Sequence, residues 1–226
     1  RGKFSDFAVL YRSNHQARLL ELKLQHYQIP YSMTGGTSFF SRTEIKDIMA
    51  YLRLIVNPDD NNALLRIINT PRRQIGTSTI IALSNYASER DIGLFAAMGE
   101  IGLAQHLSSS AYQRIQQFHQ WIDHLIRSTE ESDPIAAINE MLEDMDYLGW
   151  LHQHASSPQV GEGRMENVQL LIKSIRDTLT KANEETLTET PSTTLKDAIA
   201  KLVLMDLLER QEEEDISDRV QLMTLH

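Results

Sequence analysis

The sequence predicts a mostly helical fold that carries a small α/β piece built from its two ends. Three observations lead there. The first 34 residues read as strand, helix, strand; apolar residues recur at helical spacing from about residue 43 to residue 210; and the final residues return to an apolar strand.

Phe7–Tyr11 (FAVLY) is a short β-prone run of the kind buried in a parallel sheet. Ala17, Leu20, Leu24 and Tyr27 then recur at intervals of three to four, widened by Leu19 and Leu22. Pro30 is expected to end this helix, because the residue before a proline avoids helical geometry. Ile29–Met33 is the second strand, closed by a turn at Gly35-Gly36. The unit has the size of one strand–helix–strand crossover.

Beyond the glycine pair, Ile45, Ile48, Met49, Leu52 and Ile55 mark one face of a helix over Thr43–Val56. Asn57-Pro58-Asp59-Asp60 breaks it and caps a helix carrying Leu64, Leu65, Ile67 and Ile68, which Thr70-Pro71 ends. Another helix opens at Thr77-Ser78-Thr79 and runs through Tyr86. Later helices are predicted over Tyr112–Arg127, Pro134–Met145, Met165–Lys181 and Leu195–Arg210. Ala155–Gly163, rich in Ser, Gly and Pro, and Asn183–Thr194, rich in Thr and Glu, read as loops. Acidic Gln211–Asp218 reads as a solvated hinge. Val220–Leu225 is the returning strand, expected to join the first two in one sheet with the helices inserted between them. Three strands and one helix bury little surface, so the sheet is expected to belong to a larger domain and the chain to be a fragment of a longer one.

Composition narrows the function classes. The 226 residues are 41% hydrophobic and 23% charged, in the globular range. No apolar run approaches the ~20 residues that span a bilayer, and RGKFSDF at the start has no signal-peptide core. Without cysteine there is no disulfide, thiolate zinc site or cysteine nucleophile. A cytoplasmic protein fits all of this. The formal charge of −9 is unevenly placed: residues 1–76 hold 11 Lys+Arg against 6 Asp+Glu, residues 77–226 hold 11 against 25. A basic first third can bind an anion that the acidic remainder repels.

Catalytic readings find no support. There is no GxxxxGK[ST] phosphate loop, no HExxH pair among the eight histidines, and no discernible Ser/His/Asp arrangement. The segment richest in chemistry is RIINTPRRQIGTST, residues 66–79, where Arg66, Arg72 and Arg73 surround a proline turn and Gly76 leads into Thr77-Ser78-Thr79. Two readings of it stand. A helix N-terminus with free N–H groups and a glycine for close approach can grip a phosphate; or the turn simply caps a helix and the arginines are solvated. The second segment is YRSNHQAR, residues 11–18, directly after a strand, where α/β sheets place ligands. Asn14 can cap the following helix, or Tyr11 and His15 can stack on bases. Trp121, Trp150, Phe39 and Phe40 are expected in the core.

Four stretches, FAVLYRSNHQAR, IPYSMTGGTSFFSRTEIKDIMAYLRLIVNPDD, LLRIINTPRRQIG and VQLMTLH, together resemble the Rep/UvrD-type superfamily 1 DNA helicases, on the Rep side of that family, and occur in the family's order. The resemblance implies two RecA-like motor domains, each with an inserted subdomain. Residues 39–214 would be the helical insertion of the second motor domain, and 1–38 and 215–226 pieces of that motor domain. It implies an intact ATP-dependent 3′-to-5′ DNA helicase of replication or repair, with ATP and Mg²⁺ held outside this stretch, so that the fragment itself takes no cofactor and is inactive. Residue by residue, Arg12 and Asn14 fall near the single-strand track. His226 matches a histidine beside single-stranded DNA. RQIG at 73–76 matches a Gly-Ile-Gly turn that holds duplex backbone, with Gln74 in place of the first glycine, which is expected to stiffen the turn. Arg72, Arg73, Gly76 and Thr77 are the duplex-binding candidates. The implied partners are DNA at a single/double-strand junction, the remaining motor domains and accessory replication or repair proteins, with no membrane. The insertion would swivel on Gly35-Gly36 and Gln211–Asp218. A competing reading makes the acidic helices a module that docks a protein partner.

Overall fold

The computed structural model describes residues 2–12, 14–34, 39–185, 194–214 and 218–224. In chain order the elements are β1 (Ala8–Tyr11), α1 (Asn14–His26), β2 (Tyr31–Thr34), α2 (Thr43–Val56), α3 (Asn61–Ile67), α4 (Thr77–Arg90), α5 (Leu94–Gly99), α6 (Ser109–Glu131), α7 (Pro134–Asp144), α8 (Tyr147–Gln153), α9 (Pro158–Glu185), α10 (Leu195–Glu214) and β3 (Val220–Thr224). The fold is mostly helical with a small α/β piece, as the sequence predicts. Two compact units divide it: residues 1–46 with 169–226, and residues 47–168.

The first unit contains the sheet. Its order is β1-β3-β2 and both pairings are parallel, with Tyr11 opposite Thr224 and Tyr31 opposite Val220. The last strand therefore lies between the first two. Val220 N donates to Pro30 O and Gln221 N to Phe7 O, so β3 serves both neighbours at once. Tyr11, Tyr31, Val220 and Leu222 face Ala17 of α1, with Leu20, Leu24, Ile29 and Met33 packed around them. Strand side chains alternate between faces, and the opposite one leaves Leu10 exposed, with Phe7 just before β1 exposed as well.

α1 ends before Pro30 is reached. Tyr27 N bonds Lys23 O, Ile29 N reaches back to Leu24 O at 2.8 Å, and Gln28 between them takes φ 55. This is a left-handed helix stop that usually employs glycine. Phe39 and Phe40 are fully buried, as predicted. Phe39 N donates to Glu21 Oε1 at 3.2 Å, while the buried Glu21 Oε2 has no hydrogen-bond partner among the described residues. Burial pushes this carboxyl up to about 7; the Phe39 amide and the Arg42 and Arg18 charges oppose the shift without cancelling it.

The second unit is helical. α2 obeys the predicted boundaries to the residue, and Asp60 caps α3 through Ala63 N while pairing with Arg53 at 2.6 Å. α5 packs on α3, α4 and α6, and α7 packs on α6 and α8. Other predicted boundaries move. α4 continues four residues past Tyr86 and stops at Asp91, which is left-handed. α6 starts three residues earlier than Tyr112, where Ser108 accepts from Ala111 N. α5 and α8 were not foreseen; each is short.

The largest departure is Ala155–Gly163, predicted as a loop. Pro158 opens α9 in the middle of it, with Ser157 Oγ accepting from Val160 N. Gly161 lies inside α9, where a Cβ would clash with the His152 ring and stand 3.2 Å from its Cα; the glycine marks close approach of α8, not a break. Asn183, Ala182 and Glu185 likewise belong to α9, while 186–193 lie outside the described residues. Gln211–Glu214 continue α10 instead of forming a free hinge, since nothing in QEEE interrupts a helix. Residues 215–217 of that stretch and Gly35-Gly36 lie outside the described residues.

Two stability predictions follow. Glu21 binds its proton more tightly folded than unfolded, so its contribution is complete below pH 4.5 and is lost as pH rises through about 7. Thermal unfolding between pH 5 and 8 should show that declining limb, and Glu21→Gln should flatten it and raise Tm at pH 8; an unaltered limb would assign it to other groups. At the end of α1, Gln28→Gly should raise stability by about 0.5–1 kcal/mol, the left-handed penalty less glycine's added unfolded-state freedom, measurable as a higher urea midpoint.

Candidate nucleic-acid interface

The segment between α3 and α4 is shaped by one asparagine, one tyrosine and one arginine. Asn69 Oδ1 accepts from Arg73 N at 2.7 Å and from Ile75 N at 3.3 Å, closing the chain around the proline turn. Arg73 turns inward. Its Nη1 donates to Ile67 O and Pro71 O at 2.9 and 3.1 Å, and its Nη2 to Tyr51 Oη at 2.6 Å. Tyr51 in turn donates to Thr70 O. Burial pushes the Tyr51 phenol up to about 12 against the pull of Arg73, so it stays neutral and keeps its proton for that bond. Phe118 and Trp121 flank the Arg73 guanidinium, 4.7 and 5.3 Å from the ring centres, close enough for cation–π attraction.

What this framework presents is the start of α4. Gln74 has φ 57, the left-handed conformation that a glycine takes without strain. Its carbonyl is reached by Arg114 Nη1 at 3.4 Å. Ile75 is buried and anchors the turn, while Gly76, Thr77 and Ser78 are exposed. Gly76 precedes the helix at φ −78, ψ 168, and no side chain caps the helix. Apart from its chain neighbours, no atom of the described residues lies within 4 Å of where a Gly76 Cβ would stand. The fold therefore does not require glycine at 76, whereas an anion approaching the backbone would use the open space.

The predicted residues thus separate. Arg73, Gly76 and Thr77 share one turn, and Arg72 beside them is exposed, with no ion pair among the described residues. Arg66 instead pairs with the buried Asp47 at 2.7 Å. Arg12 and Asn14 lie in the other unit. Arg12 is exposed just past the carboxyl end of β1, its N–H donating to Gln16 Oε1 at 3.0 Å. Asn14 is the first residue of α1. Tyr11 is buried in the sheet core and is not a platform for bases. Trp121 and Trp150 are half-buried, not core; the Trp121 indole N–H donates to Asp144, and Trp150 packs on His154. His226 lies outside the described residues.

Sequence reasoning missed Asn69, Tyr51 and Arg114. Asn69 was within reach, because an Asn beside a proline turn bonds nearby backbone. Tyr51 and Arg114 act across 22 and 40 residues and left no local signal. Among the described residues, no group of three His, Asp or Glu is placed to hold a metal ion, and no helix is long and apolar enough to cross a membrane.

Comparison with known proteins agrees with the motif reading. The chain is 43% identical over 226 residues to the ATP-dependent DNA helicase Rep of Escherichia coli K12, covering all of this chain and 33% of that protein. It is 34% identical over 224 residues to the ATP-dependent DNA helicase PcrA of Staphylococcus epidermidis RP62A, covering 99% of this chain and 29% of that one. Against PcrA of Bacillus subtilis 168 the identity is 32%, covering all of this chain and 30% of that one. The chain thus spans about a third of the length of the relatives it matches. The model of the UvrD-like helicase C-terminal domain matches residues 1–226, and the chain belongs to that family.

Proposed function

We propose that the chain works as the second motor domain's sheet piece and helical insertion in an ATP-dependent 3′-to-5′ DNA helicase of replication or repair, and that its part in unwinding is to hold duplex DNA ahead of the junction. Residues 39–214 are the insertion in this reading, and 1–38 and 215–226 belong to the motor domain. The observation that carries the duplex contact is the uncapped, exposed start of α4, with Gly76 unobstructed and Arg72 beside it.

A phosphate set there accepts from the amides of the first turn, takes the favourable end of the helix dipole, and meets the Thr77 hydroxyl. Such contacts grip backbone without reading bases, which suits an enzyme that unwinds any sequence. Arg12 and Asn14, which follow the carboxyl end of β1, are assigned to the single strand, and His226 is assigned with them by its match to the family's histidine. The exposed Leu10 supports docking of the remaining motor domain on the open face of the sheet. ATP and Mg²⁺ are assigned in this reading to other parts of the intact helicase, since this sequence carries no phosphate loop. A cytoplasmic location and a swivelling insertion complete the reading. The second reading, a docking module for a basic protein partner, draws on exposed Glu130, Glu131, Glu140, Glu143 and Asp144 on α6 and α7.

The test uses Gly76→Val. Nothing crowds that position, so Tm should move by no more than about 2 °C, a surface-type change. Binding of a labelled DNA hairpin with a single-stranded tail should weaken about tenfold or more, since the branched side chain would occupy the phosphate's place. Retained affinity in Gly76→Val and in Arg72→Ala would remove the duplex assignment and favour the acidic docking surface.

A further inference from the structure

Resting on that duplex reading, we infer that Arg73 is the positioning residue of the Gln74–Thr77 turn: it fixes the turn from inside and leaves DNA contact to its neighbours. A phosphate ligand must offer free donors toward solvent. Three of the guanidinium N–H groups of Arg73, a half-buried side chain, are instead committed inward, to Ile67 O, Pro71 O and the Tyr51 hydroxyl. Ile67 is the last residue of α3, so the guanidinium also sits on the negative end of that helix dipole. To reach a phosphate it would have to leave both carbonyls, the hydroxyl and the faces of Phe118 and Trp121.

The arrangement needs a planar fork. One nitrogen spans two carbonyls while the other meets the hydroxyl, and a lysine ammonium, a compact point charge, cannot reproduce that spread. The backbone of Arg73 is bound too, its N–H and that of Ile75 sharing Asn69 Oδ1. Inner fork and outer amides together hold Gln74 in its left-handed turn and aim the start of α4 outward. Arg72, one residue earlier, faces solvent. Two adjacent arginines thus divide the work: Arg72 supplies charge to DNA, Arg73 supplies geometry.

Salt dependence and lysine rescue separate these roles. With the 226-residue chain and a fluorescein-labelled DNA hairpin, Arg72→Lys, which keeps the charge, should keep the parental salt slope. Arg72→Ala should lower the slope of log K against log salt by about one. Arg73→Lys should weaken binding about tenfold despite keeping its charge, and Arg73→Gln should weaken it with the slope unchanged. Parental binding by Arg73→Lys, or a slope lowered by about one in Arg73→Gln, would overturn the inference. Hydrogen exchange without DNA gives an independent reading. The Ile75 amide should exchange about tenfold faster in Arg73→Lys, while α6 amides keep parental rates; unaltered Ile75 exchange would also overturn it. If the parent binds no hairpin, the duplex reading fails by itself, and the exchange result still decides the role of Arg73.

Discussion

The parallel pairing of β3 with both β1 and β2 is the constraint from which the rest follows. The two strands joined by α1 are not neighbours; among the described residues each pairs with the strand that comes last in the chain. Everything between Thr34 and Val220 is therefore an excursion that leaves and returns to one sheet. Such an excursion must supply its own core, and it does so with helices whose apolar faces are long and regular, as in α2. Where the chain resumes after β2, Phe39 and Phe40 are buried and the Phe39 amide is bound by Glu21. The ionised carboxylate is an expensive choice there, with one oxygen unpartnered among the described residues. The protonated acid keeps the acceptor for Phe39 at a lower desolvation cost, which is the reason its proton is held so firmly.

The turn before α4 shows a second compromise. A non-glycine residue at positive φ costs about 1–2 kcal/mol, and the arginine beside it loses much of its hydration. The return is a half-buried cation with carbonyl, hydroxyl and aromatic partners, where charge-assisted bonds are stronger than in open water. Strain at Gln74 persists because its surroundings over-determine it: Asn69 on one side, Arg114 on its carbonyl, buried Ile75 after it. Strained turns held in this manner belong with sites where geometry matters more than stability.

What was legible in the sequence follows the range of the interactions. α2 was readable end to end because a five-residue apolar stripe, a Thr at its first position and a following Asn-Pro all agree. The start of α9 was not, because Ser, Gly and Pro signal a loop locally, while Pro158 at a helix start and Gly161 against His152 serve packing. α5 and α8 are too short to show a period. The same division holds at the site. Gly76 and Thr77 declare themselves through a glycine ahead of hydroxyl residues at a helix start. The inward turn of Arg73 does not, because its partner Tyr51 lies in α2 and its aromatic neighbours lie in α6. Sequence alone made Arg72 and Arg73 equivalent; only the folded chain distinguishes them.

The charge distribution then takes on physical sense. A chain of net charge −9 meets a polyanion favourably only where its local field is positive, and salt limits that field to about 8–10 Å. In the proposed duplex contact, backbone amides and the exposed Arg72 would act within that short range, and the acidic helices beyond it would oppose any wider footprint. Neutral amide donors release no counterions when they bind, so the contact gains little from dilution of salt and stays weak. For a proposed unwinding enzyme that weakness is an advantage. The duplex ahead must be held against rotation yet released whenever the strand advances, and a grip built from a helix start meets both demands better than a row of lysines would.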